Sequence, residues 1–281
     1  MSEKLIGGQA VIEGVMMKTD RNMAVSVRLQ NNKIKTKKQR LKRRSGFLKW
    51  PFIRGVVNLY DILILGIKTL TWSANQQLDK KEKLTSFQLA LTITLSLIFG
   101  ILIFIVAPFF LTRFIVQKGI LFDLIDGLMR VIILIAYFLV ISLMKDVQIL
   151  FRYHGAEHKV VNCYEAKKQL DVKNVKKFST LHPRCGTSFL VIVLVISIIV
   201  FSFIQGVWYI RLFGRILLLP VVAGISYEIL KLGGRFRENK LMKIINTPGI
   251  WVQKISTKEP TKKQIEVAIT AFKTVQRMEK L

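Results

Sequence analysis

Residues 87–111 read FQLALTITLSLIFGILIFIVAPFFL, with no charged side chain anywhere in the run. A helix needs about 20 apolar residues to cross the hydrocarbon core, where lipid offers no partner for a backbone amide or carbonyl. Phe87–Leu111 exceeds that length, so the chain is read as an α-helical membrane protein. Three more runs follow: Leu128 to Met144, broken only by Arg130; Thr187 to Ile210; and Ile216 to Leu230, shorter, with Pro220 predicting a kink that neighbours in a bundle can tolerate. The expected fold class is therefore a polytopic membrane protein with four transmembrane helices and a small α+β cytosolic portion.

Composition agrees. Half of the residues are hydrophobic (51%), the mean hydropathy is +0.39, and 44 Lys and Arg stand against 17 Asp and Glu, a formal charge of +27. Such a surface is matched by anionic lipid headgroups, or by the RNA of a ribosome. The basic residues are also unevenly placed. Only Arg113 and Lys118 separate the first two runs, and only Arg211 and Arg215 the last two. Between the second and third lie Lys145, Arg152, Lys159, Lys167, Lys168, Lys173, Lys176, Lys177 and Arg184. The positive-inside rule then makes both termini and the central loop cytoplasmic. Two cysteines form no disulfide framework and are read as thiols. The N-terminus lacks the pattern of a secretory signal, so insertion is expected to use the internal spans.

The expected organisation is a cytosolic segment over 1–50 and an interfacial helix with linker over 51–85. Spans one and two follow over 86–144, the central loop over 145–186, spans three and four over 187–231, and a cytosolic tail over 232–281. Gly7 to Met17 reads either as an apolar packing segment or as one that delivers Glu13, a carboxylate isolated among apolar neighbours, to a site. Ala24–Leu29 and Lys33–Lys37 alternate about an Asn31-Asn32 turn, a hairpin signature that needs something to lie on. The basic run Lys37, Lys38, Arg40, Lys42, Arg43 and Arg44 reads either as a solvated flank or as a nucleic-acid contact. After Pro51, Phe52 to Trp72 carries Arg54, Asp61 and Lys68 on one face, as an interfacial helix would. Pro248-Gly249 reads as a turn. Pro260 opens an amphipathic helix carrying Ile265, Ala268, Ile269, Phe272 and Val275. Glu228, in the fourth run, reads as a boundary charge paired near Lys231, or as a functional intramembrane acid.

Every histidine and both cysteines lie between His154 and Cys185. On a helix His154 and His158 fall one turn apart on one face, a spacing that lets two imidazoles hold one ion. His154-Gly155-Ala156-Glu157-His158 is the His-x-x-Glu-His order, in which a glutamate beside two zinc ligands acts as general base. His182-Pro183-Arg184-Cys185-Gly186 adds an imidazole and a thiol three positions apart. His154, His158, His182 and Cys185 are thus the candidate metal ligands, Glu157 the candidate catalytic residue, and zinc the expected cofactor, since nitrogen and sulfur donors disfavour magnesium and calcium. Cys163, about 140° round the helix from His158, is left outside the set. The alternatives are a closed structural site and an ordinary hydrogen-bonding cluster. A straight helix from Met144 would carry His154 about 15 Å beyond the second span, whereas Cys185 adjoins the third. One ion joins both only if the stem bends, and Gly155 is the weak place.

Four stretches carry a resemblance: Gly7–Met17 (GGQAVIEGVMM), Tyr153–Lys159 (YHGAEHK), Leu181–Ser188 (LHPRCGTS) and Pro220–Glu228 (PVVAGISYE). They resemble the YqhQ family of bacterial membrane proteins, a domain of unknown function sometimes labelled a metal-dependent enzyme. The resemblance implies a bacterial inner-membrane location and a metal, and it supplies no substrate. Two functions are therefore expected alternatives. One is a zinc-dependent, hydrolytic enzyme at the cytosolic membrane face. The other is a non-enzymatic factor whose basic face binds anionic lipid, the ribosome or translocation machinery.

Overall fold

A computed structural model describes residues 6–42, 46, 50, 53–78, 85–235 and 239–280. The chain begins with an antiparallel meander in the order β1-β2-β3-β4: β1 (Gly7–Val11), β2 (Gly14–Lys18), β3 (Asn22–Arg28) and β4 (Ile34–Arg40). Among the described residues eleven helices follow: α1 (Ile53–Gln77), α2 (Ser86–Ile101), α3 (Ala107–Ile115), α4 (Ile120–Ser142), α5 (Lys145–Glu165), α6 (Val172–Val175), α7 (Gly186–Ser202), α8 (Trp208–Leu217), α9 (Leu219–Arg235), α10 (Lys240–Ser256) and α11 (Lys262–Lys280).

The hairpin read at Ala24–Lys37 is β3 and β4, paired from Asn22↔Arg40 to Arg28↔Ile34. What it lies on is a layer of helices on each side. Val15, Met17 and Ala24 pack with Tyr153, Val160, Ala268 and Phe272 of α5 and α11. The alternate residues Met16, Met23, Val25 and Val27 pack with Leu65 and Trp72 of α1. Burial on both faces explains why Gly7–Met17 reads as a featureless apolar segment. It is a β-hairpin, and a strand covered on both sides loses its alternation. The basic run occupies β4, the sheet edge, where Lys35, Lys37, Lys38 and Arg40 are exposed; lysines there deter edge-to-edge pairing. Arg43, Arg44, Pro51 and Phe52 lie outside the described residues.

Thr85 starts α2 with a reciprocal cap. Its hydroxyl accepts from the Gln88 amide at 3.2 Å, while the Gln88 side chain accepts from the Thr85 amide at 3.0 Å. A π-turn over Leu102–Val106 precedes Pro108, which has no N–H to give to the preceding turn. The helix therefore continues from Ser86 to Ile115. With Ile120–Ser142 it is one of two helices, among the described residues, long and apolar enough to cross a membrane. A third arises if Trp208–Leu217 and Leu219–Gly233, bent by 48°, count as one span. Gly186–Ser202 is apolar and shorter. The run read as Thr187–Ile210 thus stops at Ser202, because Gly206 at φ +115° turns the chain into α8. The kink attributed to Pro220 lies between α8 and α9. Arg211 and Arg215, read as loop charges, are buried in α8.

One further reading is corrected. Pro248-Gly249 is no turn; both residues lie inside α10. A methyl at Gly249 would come 2.5 Å from the Ser188 hydroxyl, so the glycine marks where α10 crosses α7. Glu228 is paired, as a boundary charge would be, and Arg54 of α1 grips it with two bonds, Nε–Oε1 2.7 Å and Nη2–Oε2 2.5 Å.

Candidate metal centre

The bend that the site requires lies at Leu143–Met144. Met144 is extended (ψ 130°) and α5 sets off afresh from Lys145. Gly155 does not bend the helix. It lets the Lys258 carbonyl approach to within 2.2 Å of where a methyl would stand. That contact brings the end of α10 against α5, with the Lys258 amide donating to the Phe151 carbonyl at 3.0 Å. Cys185 arrives from the other side as the N-cap of α7, its sulfur accepting from the Thr187 amide at 3.5 Å and hydroxyl at 3.2 Å.

One ligand atom each of His154, His158 and Cys185 then lies within 4.8 Å of the other two, with His154 Nε2 3.1 Å from Cys185 Sγ. Ideal zinc tetrahedra with these donors have edges of about 3.3–3.5 Å, so a small closing movement brings all three into range. The tautomers follow from the partners. His154 Nδ1 faces the Ser256 carbonyl at 2.9 Å, and His158 Nδ1 faces the Thr180 carbonyl at 2.5 Å. A carbonyl only accepts, so both protons sit on Nδ1 and both Nε2 lone pairs are turned towards the Cys185 thiol. That outer arrangement orients metal-bound histidines. Burial pushes His158 below the usual histidine range, against the raising influence of Cys185, which keeps the imidazole in its neutral, ligating form.

His182 is not brought into this group. Its Nδ1 accepts from the Arg184 amide at 3.3 Å, and its Nε2 faces Glu165 Oε2 at 3.5 Å. Glu165 also pairs with Arg184. His182 sits beside the site, 5.8 Å from His158 between ring centroids, with both nitrogens engaged. Its backbone is clamped by Gln253 of α10, which accepts from the His182 amide and donates to the His182 carbonyl, each at 2.9 Å. Asn162 adds bonds to the Ser179 and Leu181 carbonyls. Neither clamp was read from the sequence. Gln253 lies in a helix whose Pro248-Gly249 was read as a turn, and Asn162 has no motif around it.

Glu157 lies beside the ligands, buried, with Oε2 3.8 Å from His158 Nε2. Burial pushes its carboxyl above the ordinary carboxylate range, while His154, His182 and a bond from the Gly8 amide pull the other way. β1 passes so close that a methyl at Gly8 would meet the Glu157 side chain at 2.8 Å. Glu13 stays one residue short of this cluster: at φ +51° in the β1–β2 turn, it accepts from the hydroxyl of Tyr153 at 3.0 Å. Cys163 is buried in the α5–α11 core, where burial pushes its thiol up.

Fold and cluster together define a class: a largely helical chain with membrane-type apolar helices, whose small antiparallel sheet backs a His/His/Cys group of metal-ligating type. No solved structure matches it. The chain belongs to the family described as "Protein of unknown function (DUF1385)", which matches residues 50–278. It is 34% identical over 297 residues to the "Uncharacterized protein YqhQ" of Bacillus subtilis (strain 168), covering 98% of this chain and 93% of that one.

Proposed function

We propose that the chain is a zinc-dependent hydrolytic enzyme at the cytosolic face of the bacterial inner membrane, crossing it four times with both termini in the cytoplasm. The observation that carries the reading is the convergence of two Nε2 lone pairs and one thiol beside a buried carboxylate, while His182 is otherwise engaged. Three protein ligands leave one position open, the arrangement of catalytic rather than structural zinc. The donor set fits zinc by type, and Thr180 and Ser256 hold both rings in the ligating tautomer. His154, His158 and Cys185 would hold the ion, which would supply an acidified water and Lewis-acid polarisation of a substrate oxygen. Glu157 is the proton carrier: Oε2 takes a proton as the nucleophile forms and returns it to the leaving group. The Gly8 amide orients that carboxylate. The sheet and α11 exclude bulk water from behind it.

Glu157→Gln is the test. It is expected to keep its fold and about one zinc per chain, by the ligand count, while failing to complement a strain lacking the gene. Full complementation by this variant would remove the base and sink the enzyme reading. The second reading, a binding factor for anionic lipid, ribosome or translocation machinery, draws on the exposed Lys35, Lys37, Lys38 and Arg40 of β4. It predicts unimpaired Glu157→Gln, with loss of function on neutralising those four, and any ribosome capture falling steeply with salt.

A further inference from the structure

Far along the chain from the metal centre, five ionised side chains are buried together in the half of α4 remote from α5. Asp123, Asp126 and Arg130 lie on one face of α4, and Arg211 and Arg215 on α8. Arg130 Nη2 and Arg215 Nη1 each approach Asp126 Oδ2 at 2.7 Å, and Arg215 and Arg211 approach Asp123 Oδ1 at 3.1 and 3.2 Å. Arg215 is wholly inaccessible and Arg130 is 2% exposed. The ionised groups acting on Asp123, Arg130 and Arg215 all belong to the same five.

The charges do not balance. Three guanidiniums face two carboxylates, and protonating either acid only widens the excess, because arginine keeps its proton. Hydrogen bonding is incomplete too: Nε of Arg130 and Nε of Arg215 are buried without an acceptor, and Asp126 Oδ1 is buried without a donor, so the two unanswered N–H groups outnumber the one unanswered oxygen. The faces of Phe109, Phe122 and Phe201 lie 4.0–5.5 Å from the guanidinium carbons and soften the excess without accepting those N–H bonds. An unneutralised charge is strongly disfavoured in a low-dielectric interior. We propose that this cluster binds one small monovalent anion of the halide kind between α4, α7 and α8. The proposal rests on reading these helices as membrane-embedded and is independent of the zinc. The closure of the cluster favours a small ion over a lipid phosphate.

The test uses the full chain in detergent, with chloride NMR line broadening as the direct readout. Thermal midpoints in sodium chloride and sodium gluconate at equal ionic strength supply the second. The wild type is expected to broaden the chloride signal saturably, with bromide competing, and to unfold at higher temperature in chloride. Arg130→Gln removes the excess charge and should abolish both effects. Asp126→Asn leaves three cations against one carboxylate and should tighten chloride binding by about tenfold or more. The paired variants separate binding from misfolding, because a set of ion pairs that merely staples the helices predicts a loss from each and a gain from neither. No saturable broadening in the wild type, or equal broadening in Arg130→Gln, would overturn the site. Stabilisation by phosphatidylglycerol over phosphatidylcholine vesicles without any chloride effect would also overturn it and assign the cluster to a lipid.

Discussion

Cys163 and Cys185 are both buried thiols with different neighbours, and that difference can be measured. The Cys163 sulfur lies 3.6 Å from the Gln169 carbonyl within the α5–α11 core, away from any imidazole. Cys185 lies against His154 and, through it, the proposed ion. Metal-bound native protein should resist alkylation at both positions, whereas a chelator should expose Cys185 alone, as mass spectrometry of the modified chain would read. Modification of Cys163 ahead of Cys185 would contradict the arrangement. The residue-level chemistry was largely legible in the sequence. The i, i+4 spacing of His154 and His158 and the exclusion of Cys163 follow from helical geometry, whereas the Cys185 thiol was singled out by its place three positions after His182. The engagement of His182 was not legible, because it depends on an amide two residues away and on Glu165, which no local pattern singles out.

At the level of elements, the site depends on α5 meeting the end of α10, and Gly155 is the contact. Gly155→Ala places a methyl 2.2 Å from the Lys258 carbonyl, so the two segments must part. The expected outcome is a stability loss of about 1–3 kcal/mol, as for other overpacked contacts, together with weakened zinc retention, since Ser256 holds the His154 ring. Unfolding midpoints and metal content check both; unchanged zinc affinity would mean that Ser256 is dispensable. The sequence shows a glycine between two histidines and invites the reading of a bend, whereas a close backbone approach from a hundred residues away leaves no local trace. The β3–β4 hairpin was legible because β4 keeps an exposed face. β1 and β2, covered on both sides, were not recognisable as strands. Pro248-Gly249 misled for a related reason, as a helix can carry both residues where another helix crosses it closely.

For the whole molecule, the account joins a helical membrane portion to a sheet-and-helix head through the break at Leu143–Met144. Topology is the corresponding prediction. Single cysteines at Lys118 and Lys173, in a chain with its native cysteines replaced by serine, should react with a membrane-impermeant maleimide from opposite sides; reaction from one side only would refute the proposed four crossings. The two long apolar helices were legible from the length of their apolar runs. The division of the last two runs at Gly206, and the burial of Arg211 and Arg215 against Asp123 and Asp126, were not, because charges near a span end read as loop until their partners on another helix are known. The central claim remains the metal, and elemental analysis of the full chain, purified in detergent without chelators, tests it most directly. It should find about one zinc per chain, as three convergent protein ligands imply, lost in His154→Ala and His158→Ala and kept in Cys163→Ala. The absence of stoichiometric metal from the wild type would contradict the account and leave these histidines as hydrogen-bonding groups beneath the sheet.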